Sequence, residues 1–533
     1  MSGLPERLRG LLQPRSYSHP VQSVELVQTH ISWVLLTGTW AYKIKRPVRY
    51  PFVDLRSLER RTFLCHEEVR LNRRFAPDLY DSVCPITIAN GEARMEGGGA
   101  AIEHAVKMRQ FRRDEELDRL VDAGLIEPQA LEEFGRDLAR IHLQLPSAAP
   151  DHKWGEPGSI RTAVLENHAQ CTRAAKVFGG AADVAALRAP LAARLDALAS
   201  LMSTRHAGNR VKECHADLHC SNIVRRGAGL IAFDCLEFEP AFRWIDVADE
   251  IALLLADLHS RQRPQHALAF LNGYLAQGGD YQACRLLDLY QTHRSLVRAK
   301  IMALEGGAAA RAGTDAAGKR RRFAQWMSSA GVSLSAKRPV LILMSGLSGS
   351  GKTWLAQRLA PHLGAIHLRS DVERRRLAGI AAEVRSHSAL QEGMYSPGVS
   401  ARVNEHLAMC AADTLAGGYT TIVDATFIRR QERTHFRHFA ANLGIRVCLV
   451  QCRAPKKVLR ARVKERHRDG RDPSEADLSV LAWQEQHAEL VTAEESMVVF
   501  EATTAAPDPL EELAARIADW IKKGGGNPVT AAP

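Results

Sequence analysis

Apolar and polar positions alternate differently in the two halves of the chain. In the first half, residues 33–37 and 40–45 form two short β-like runs separated by a glycine turn, which predicts a hairpin. Apolar residues recur at helical spacing over residues 117–145, and short strands return over residues 211–242 before further helices. A small antiparallel lobe followed by a mostly helical lobe predicts an α+β fold for this half.

A second pattern begins at Pro339. Residues 340–344 form a continuous apolar run, which is typical of a buried parallel strand. Helical patterns separate this run from four further strand candidates, at residues 365–368, 420–423, 446–451 and 497–501. The alternation predicts a doubly wound α/β domain with a parallel sheet.

These changes of pattern predict the domain boundaries. They are an N-terminal extension (1–20), an α+β domain (21–305), an Ala/Gly-rich and basic linker (306–337), an α/β domain (338–523) and a disordered tail (524–533). The chain is therefore predicted to have two domains of different class.

Composition narrows the class of protein. The 533 residues are 46% apolar and 25% charged, as in soluble proteins with several cores. The net charge of +11 is spread along the chain, so a stable nucleic-acid complex is not expected. Ten cysteines lack a repeated Cys/His spacing, which predicts reduced thiols and no structural zinc. With no apolar leader and no apolar run of membrane-spanning length, we expect a cytoplasmic protein.

The C-terminal half contains a phosphate-binding loop. Residues 346–353 read Gly-Leu-Ser-Gly-Ser-Gly-Lys-Thr, the G-x-x-x-x-G-K-[ST] pattern, between a predicted strand and a predicted helix. Glycines allow the tight turn that aims backbone amides at phosphate oxygens, and the helix N-terminus favours negative charge. Lys352 is predicted to reach the β and γ phosphates of ATP, and Thr353 to hold Mg²⁺. The predicted nucleotide-binding residues are Gly346, Ser348, Gly349, Ser350, Gly351, Lys352 and Thr353.

Residues 339–521 resemble the P-loop kinases related to polynucleotide kinase, zeta toxins and gluconate kinase. In that family an acidic residue after the second strand activates the acceptor hydroxyl. The segment Leu-Arg-Ser-Asp at residues 368–371 matches this position, so the resemblance implies that Asp371 is the catalytic base. The alternative for Asp371 is a helix N-cap.

The same resemblance assigns three further residues. Asp424 follows the strand candidate 420–423, at the edge where doubly wound sheets bind ligands, and is implied as a Mg²⁺ ligand or acceptor contact. Its alternative is a loop-closing aspartate. Arg462 and Arg466 share one face of a basic helix, and resembling kinases close such a helix over the nucleotide. The resemblance implies that both are catalytic, and the alternative is a solvated helix face.

A second constellation lies in the N-terminal half. Residues 215–222, His-Ala-Asp-Leu-His-Cys-Ser-Asn, have the H-x-D-x-x-x-x-N spacing of a kinase catalytic loop, and Asp234 follows the next apolar strand. Such loops place an aspartate, here Asp217, at the acceptor hydroxyl. Asn222 and Asp234 are the predicted Mg²⁺ ligands.

Residues 21–304 resemble the aminoglycoside phosphotransferase and choline kinase superfamily, which implies a bilobal, protein-kinase-like fold with Asp217 as base. Nucleotide phosphates also need a small-lobe lysine, and Lys43 and Lys45 lie on the same strand face. We prefer Lys43, with Glu67 or Glu68 as ion-pair partner or as ordinary surface glutamates. No glycine follows Asp234, and no clear glycine-rich loop is present, so catalysis in this half stays open.

The two halves together resemble bacterial bifunctional phosphotransferase/ATP-binding proteins. The sequence therefore predicts an ATP- and Mg²⁺-dependent kinase that phosphorylates a hydroxyl of a small molecule or a nucleic-acid end. The alternatives are a regulatory nucleotide-binding ATPase with a degenerate N-terminal half, and a zeta-toxin-like kinase.

Overall fold

A computed structural model describes residues 3–50, 53–149, 152–379, 397–469, 476–504 and 510–524. Contacts divide the chain into two units. Unit 1 comprises Met1–Ala130, Arg140–Arg261 and His293–Met327, and unit 2 comprises Leu131–Ala139, Gln262–Thr292 and Ser328–Pro533. The domain boundaries drawn from the sequence stay predictions. The predicted disordered tail lies outside the described residues, apart from Gly524.

Unit 1 begins with a six-stranded antiparallel sheet of order β1-β2-β3-β8-β6-β7. Its strands are β1 (Glu25–Gln28), β2 (Ser32–Leu36), β3 (Trp40–Lys45), β6 (Tyr80–Ala89), β7 (Glu92–Met95) and β8 (Glu103–Arg109). A small hairpin, β4 (Arg49–Tyr50) and β5 (Val53–Asp54), and the helix α1 (Leu58–Asn72) lie between β3 and β6 in sequence. The predicted hairpin is confirmed as β2 and β3, with Gly38 at a positive φ of 93° in its turn.

The start of the chain packs on this sheet. Residues Glu6–Leu12 form a 3₁₀ helix, and Leu4, Leu8 and Leu11 are buried in the same apolar cluster as Trp33 and Tyr42. The segment predicted as an N-terminal extension therefore contributes to the core of the sheet.

The rest of unit 1 is mostly helical. Its elements are α2 (Leu117–Asp122), α3 (Pro128–Gln144), α4 (Pro157–Ala174), α5 (Ala181–Ala186), α6 (Arg188–Ala207), β9 (Val211–Glu213), β10 (Ile223–Arg226), β11 (Gly229–Ala232), α7 (Pro240–Arg243), β12 (Trp244–Asp246) and α8 (Val247–Ser260). The helical pattern over residues 117–145 is two helices, because Gly124 takes a left-handed φ of 68° and Pro128 starts a new helix. The central part of α3 is grouped with unit 2.

Two helices occupy most of the segment predicted as a linker. Helix α9 (Pro264–Gly278) precedes α10 (Leu287–Arg311), and α11 (Ala317–Ser333) follows it. The basic residues of α11 are partly paired: Lys319 forms an ion pair with Glu305, and Arg322 with Asp257. Alanine is the strongest helix former, so the alanine-rich composition of this segment suits helices.

Unit 2 is built on a five-stranded parallel sheet of order β14-β15-β13-β16-β17. Its elements are β13 (Val340–Ser345), α12 (Lys352–Leu363), β14 (Ala365–Arg369), α13 (Ser370–Leu377), α14 (Pro397–Ala416), β15 (Thr420–Asp424), α15 (Arg430–Asn442), β16 (Arg446–Arg453), α16 (Lys456–Asp469), α17 (Leu478–His487), β17 (Val498–Thr503) and α18 (Leu510–Lys522). All five predicted strands are present, and the predicted α/β class is confirmed.

Burial explains the continuous apolar runs of this sheet. Every residue of β13 is buried, and Ile342 and Met344 pack against Leu355 and Leu359 of α12. Parallel strands need helical crossovers, and those helices cover both faces of the sheet. Edge strand β14 is covered by α9, where the Asn272 side chain donates to the Ala365 carbonyl and accepts from the His367 amide.

Among the helices in the described part of the chain, none combines the length and the apolarity that a membrane crossing needs. The ten cysteines are all buried and none forms a disulfide.

Candidate active sites

The loop after β13 has the backbone of a phosphate cradle. Gly346, Gly349 and Gly351 take positive φ values of 149°, 81° and 80°. A Cβ at Gly346 would lie 2.6 Å from the Cys452 carbonyl oxygen, and one at Gly349 would lie 2.7 Å from that of Leu459. Both the φ angles and the close backbone neighbours therefore require glycine. The loop leads directly into the N-terminus of α12.

Hydrogen bonds from three parts of unit 2 fix this loop. The Gly346 amide donates to the Thr426 carbonyl at 3.0 Å, and the Ser348 amide donates to Oε1 of Gln484 at 2.8 Å. The Thr504 hydroxyl donates to the Ser350 carbonyl at 2.7 Å. The cradle is thus held in shape by the protein itself, which reduces the reorganisation needed when phosphate binds.

The two arginines predicted to be catalytic lie on α16 and make different contacts. Arg462 donates to the Gly349 carbonyl at 3.3 Å and to the hydroxyl and carbonyl oxygens of Thr504, both at 2.9 Å. Arg466 donates to the Ala476 carbonyl at 3.2 Å, while its buried Nε has no partner among the described residues. Both side chains are half-buried, which excludes a fully solvated helix face. Arg462 braces the loop in this structure.

Lys352 and Thr353 are the first two residues of α12, and both are half-buried. The Lys352 ammonium is among the positive charges that stabilise the Asp424 carboxylate. The structure therefore brings both parts of the P-loop pattern, its glycines and its Lys-Thr pair, to one edge of the sheet, beside the last residue of β15.

Asp424 is buried at that edge, in register with Met344 of β13 and Arg369 of β14. Burial opposes ionisation of its carboxyl, but the His367 hydrogen bond at 3.3 Å and the nearby positive charges hold its pKa below the ordinary value. Its Oδ1 is buried and has no hydrogen-bond partner in the described part of the chain. A buried anionic oxygen without a partner is costly unless a cation or water occupies the space beside it.

A second buried oxygen without a described partner lies in the loop itself, at Oγ of Ser350. Carboxylate and hydroxyl oxygens are the ligands that Mg²⁺ prefers, and it normally keeps several waters and phosphate oxygens. The oxygens of Thr353 and Asp424 therefore fit a Mg²⁺ ion held together with nucleotide phosphates.

Asp371 follows β14 at the same edge of the sheet. Helix α13 begins at Ser370 with Arg369 as its N-cap residue, so the N-cap alternative for Asp371 is wrong. Asp371 is half-buried, and its carboxylate has no hydrogen bond or ion pair with any described residue. Its negative charge in the first turn of α13 is favourable, and the carboxylate is free to meet a ligand.

The catalytic-loop pattern of unit 1 is a tight loop whose central aspartate is hydrogen-bonded on two sides. The Asn222 side-chain amide donates to the Asp217 carbonyl at 3.0 Å and to its Oδ2 at 3.1 Å. The Ser221 amide donates to Nδ1 of His219, so the proton of His219 lies on Nε2, which faces Oδ2 of Asp217 at 3.3 Å. His219 is a buried residue that orients Asp217.

These contacts set the charge of Asp217. Burial opposes ionisation, but His219 and then Arg298 hold the pKa of the carboxyl well below its ordinary value. Such a carboxylate is a weak base, and it suits a reaction in which orienting the hydroxyl matters more than removing its proton early.

His215 is a structural residue of this loop. Its Nε2 donates to the Phe233 carbonyl at 2.8 Å, and its ring packs edge-on against Phe75. The amides of His215 and Ala216 donate to the two carboxylate oxygens of Glu250, both at 2.9 Å. Ala216 takes a left-handed φ of 73°, which this pair of hydrogen bonds helps to maintain.

The small-lobe lysine is buried in an ion-pair network. Nζ of Lys43 lies 2.8 Å from Oε1 of Glu68 and 2.5 Å from Oδ1 of Asp234. Lys45 pairs with Glu68 and Glu237, and both of its partners are buried. Burial opposes the charge of Lys43, but Asp234 and then Glu68 raise its pKa well above the ordinary value.

The ion-pair network decides between the two glutamates and between the two lysines that the sequence left open. Glu68 is the partner of Lys43, so its alternative as a surface glutamate is wrong, whereas Glu67 pairs with Arg70 and Arg243. Lys43 reaches Asp234, one of the two predicted Mg²⁺ ligands, and Lys45 does not. Lys43, Glu68 and Asp234 of unit 1 therefore belong to one ion-pair network.

The donor set around Asp234 also fits Mg²⁺. The Asp234 side chain is 43% exposed, so part of its carboxylate is open to a ligand. The Asn222 backbone carbonyl accepts from the Phe233 amide at 2.9 Å, which places the loop beside the residue that precedes Asp234. A carboxylate and an amide oxygen are suitable Mg²⁺ ligands.

Sequence reasoning missed residues that support the sites rather than form them. They are Gln484 and Thr504 around the P-loop, His367 beside Asp424, Glu250 under the catalytic loop, and the Lys45–Glu237 pair. None belongs to a motif. The one available signal was for His367, which lies two residues before Arg369, so that its side chain and the side chain at the strand end share one face of β14.

Comparison with known proteins gives one family match within the chain and several similar solved structures. A family model described as an AAA domain matches residues 341–491, the part that contains the P-loop and Asp424. Among solved structures, a choline/ethanolamine kinase family protein from Mesorhizobium loti covers 60% of this chain and 92% of its own, at 12% identity and a TM-score of 0.36. A gluconokinase from Sinorhizobium meliloti 1021 covers 35% and 98%, at 21% identity and a TM-score of 0.24.

Curated relatives match over most of both chains. Uncharacterized protein Rv2004c of Mycobacterium tuberculosis is 30% identical over 475 residues, which is 87% of this chain and 91% of the relative. Uncharacterized protein Mb2027c of Mycobacterium bovis matches to the same extent. The chain therefore belongs to the same family as these mycobacterial proteins, and its residues 341–491 match the model of an AAA domain.

Proposed function

We propose that this protein is a phosphotransferase that moves the γ-phosphate of ATP to a hydroxyl acceptor, with Mg²⁺ as cofactor. One observation carries the proposal: a preformed P-loop shares its sheet edge with two acidic residues whose carboxylate oxygens have room for ligands. Asp424 has a buried Oδ1 without a described partner, and Asp371 has no described partner. A nucleotide-binding protein without an acceptor needs the loop but has no use for Asp371.

The residues of unit 2 have five roles in this proposal. Lys352 and the loop amides bind and orient the phosphates, and Thr353 and Asp424 hold Mg²⁺, which neutralises charge on the phosphate oxygens when bound. Asp371 orients the acceptor hydroxyl and takes its proton. Arg462 keeps the loop in shape through Gly349, and Arg466 is the arginine proposed to meet the transferring phosphoryl group.

Unit 1 supports a second phosphotransferase site. Lys43, Glu68 and Asp234 are in contact, and Asp217 is ionised and oriented by Asn222 and His219. In protein kinases the corresponding lysine–glutamate pair is required for activity. We propose that Lys43 holds nucleotide phosphates, that Asn222 and Asp234 hold Mg²⁺, and that Asp217 orients an acceptor hydroxyl.

The acceptor, the partners and the location follow from these sites only as proposals. The acceptor is a small molecule or a nucleic-acid end that presents a hydroxyl, and no stable nucleic-acid complex or membrane attachment is proposed. The proposed location is the cytoplasm, where ATP and Mg²⁺ are available.

The test is ATP turnover by the full chain with Mg²⁺, against a panel of metabolites and 5′-hydroxyl oligonucleotides. Wild type is compared with Lys352→Ala and Asp217→Asn. We expect an acceptor to stimulate turnover, and we expect Lys352→Ala to abolish transfer by unit 2 while Asp217→Asn spares it. Tight ATP binding without any phosphorylated acceptor would instead support a regulatory nucleotide-binding protein.

A further inference from the structure

Three side chains of metal-ligating type meet in unit 2 outside both candidate nucleotide sites. They are Glu373 on α13, and His406 and Cys410 on α14. His406 and Cys410 are four residues apart on one helix, so their side chains share a face. One carboxylate oxygen, one imidazole nitrogen and the sulfur all lie within 4.8 Å of one another.

The imidazole of His406 faces both other groups through one atom. Its Nε2 lies 3.0 Å from Oε2 of Glu373 and 3.5 Å from Sγ of Cys410. A protonated Nε2 donates to the carboxylate, and the thiol sulfur is then only a weak second acceptor. One nitrogen therefore points at a carboxylate oxygen and a sulfur together, and only one of these contacts is a strong hydrogen bond.

A metal ion satisfies all three groups at once. Tetrahedral zinc has bonds of about 2.3 Å to sulfur and about 2.0–2.2 Å to nitrogen and oxygen. These bond lengths separate nitrogen from sulfur by about 3.6 Å and nitrogen from oxygen by about 3.4 Å. The distances at His406 are 3.5 Å and 3.0 Å, so little adjustment is needed. We propose that Glu373, His406 and Cys410 form a Zn²⁺ site, with water as the fourth ligand.

The surroundings of the cluster are those of a metal site. The Tyr281 hydroxyl donates to Oε1 of Glu373 at 2.8 Å, and Nε of Arg376 donates to Oε2 at 3.0 Å, so the carboxylate is oriented by its neighbours. Glu373 and Cys410 are buried, while the His406 side chain is 21% exposed and provides a path for the ion. Binding displaces the thiol proton, and the thiolate adds a second negative charge beside the carboxylate, which Arg376 also pairs with.

A metal ion bound at this site would fix the position of α13 relative to α14. Glu373 lies two residues after Asp371 on the same short helix, whereas both other ligands lie on α14. A bound ion therefore ties the helix that carries Asp371 to a second, longer helix. We assign the site a structural role, because its three protein ligands come from two packed helices and none is a predicted phosphate or acceptor contact.

The test is Co²⁺ binding to the full chain, since cobalt replaces zinc and reports its ligands by absorption. Metal-free protein is titrated with Co²⁺ under excess Mg²⁺, which occupies oxygen-only sites. We expect one equivalent to give the intense d–d bands of tetrahedral cobalt and a thiolate charge-transfer band, both removed by one equivalent of Zn²⁺. Cys410→Ser should abolish the charge-transfer band, and Cys171→Ala, which removes another buried thiol, should retain it.

Two further variants keep the test decisive if Cys410→Ser does not fold. His406→Gln keeps a polar side chain and should weaken Co²⁺ binding at least tenfold with an unchanged circular dichroism spectrum. Tyr281→Phe removes one hydroxyl and should weaken binding by roughly 10- to 100-fold. Absence of a thiolate band from the folded wild type, or its retention in Cys410→Ser, overturns the proposal. Neither result depends on kinase activity.

Discussion

The two carboxylate oxygens of Asp424 have different surroundings, and this difference leads to a prediction. Oδ2 faces His367, while the buried Oδ1 has no partner among the described residues. If Oδ1 contributes to Mg²⁺ binding, Asp424→Asn should raise the Mg²⁺ concentration for half-maximal turnover at least tenfold, because the amide oxygen carries no full charge. Turnover at several Mg²⁺ concentrations, with ATP held constant, measures the effect.

Asp519→Asn is the control for this change. Asp519 is exposed on α18 and pairs with Lys523, so its substitution removes the same charge without touching the sheet edge. Its Mg²⁺ dependence should match wild type. If Asp424→Asn has the Mg²⁺ dependence of wild type, Asp424 is not a Mg²⁺ ligand. The result would then support the alternative of a loop-closing aspartate.

The ion pairs of Glu213 predict how the stability of the folded protein depends on pH. Burial opposes its ionisation, but hydrogen bonds from three arginines lower its pKa from 4.5 to about 2. The arginines are Arg70, Arg74 and Arg243. Because the folded pKa is the lower one, the stabilisation is complete above pH 4.5 and is lost as the pH falls towards 2. A shift of this size corresponds to about 3 kcal/mol at most.

The measurement is the difference in urea midpoint between wild type and Glu213→Gln at a series of pH values. Glu213→Gln removes the carboxylate charge that three arginines share, and Arg74 loses its ion pair, so the variant should be less stable at pH 6, and the difference should shrink as the pH falls below 4.5. Glu494→Gln, at an exposed carboxylate, should track wild type throughout. A gap between wild type and Glu213→Gln that stays constant with pH contradicts the assignment.

At the residue scale, the sequence indicates candidate chemical groups more readily than the residues that hold them. The spacing of Asp217, Asn222 and Asp234 is sufficient to identify these candidates because the pattern is local, and Asn222 does contact Asp217. The sequence does not distinguish the two lysines that share one face of β3. They differ in their ion-pair partners, which lie at distant positions in the chain: Glu68 and Asp234 for the first lysine, and Glu68 and Glu237 for the second. Burial of such a network depends on tertiary packing, which local patterns do not contain.

At the scale of elements, the P-loop combines unusual dihedral angles with close packing. Gly349→Ala should weaken ATP binding more than tenfold, because its φ of 81° is left-handed and the added Cβ would meet the Leu459 carbonyl at 2.7 Å. The dihedral penalty alone is roughly 1–2 kcal/mol. Displacement of the loop from α16 adds to it and disturbs the amides that face phosphate. Calorimetry with a non-hydrolysable ATP analogue measures the affinity.

Gly364→Ala is the control that introduces a Cβ at a left-handed φ without a close contact. Gly364 ends α12 at a φ of 62°, with no atom within 4 Å of the added Cβ. This variant should lose about 1 kcal/mol of unfolding free energy and keep its ATP affinity. If both variants bind ATP equally well, close packing of the loop does not control the nucleotide site.

Strand positions in unit 2 were predicted well because the central strands β13 and β15 are buried throughout, so that apolar residues follow one another along them. The helices of unit 1 were harder, since one helical pattern continued across Gly124 and Pro128 where the structure has a break. The end of α10 and the whole of α11 were missed for a related reason: the Ala/Gly-rich composition after residue 305 suggested a linker, although apolar residues such as Trp326 are buried. Burial by other elements decided the structure there.

At the scale of the whole molecule, each unit has its own set of candidate phosphate-binding groups. Unit 2 has the P-loop with Lys352, and unit 1 has Lys43 in contact with Glu68 and Asp234. No residue belongs to both sets. If both sets bind nucleotide, a full chain should bind two molecules of ATP, and removal of either lysine should leave one.

Substitution of the two lysines tests this stoichiometry with a matched pair of variants. Lys352→Ala removes a half-buried charge at the start of α12, and Lys43→Met replaces a buried lysine by an apolar side chain of similar length while Lys45 still pairs with Glu68. Calorimetry with a non-hydrolysable ATP analogue and Mg²⁺ should give two sites in wild type and one in each variant, so each variant is the control for the other. A single site in wild type that is lost only in Lys352→Ala would mean that unit 1 keeps the contacts of a kinase without binding ATP, and Asp217 would then have no phosphoryl group to act on.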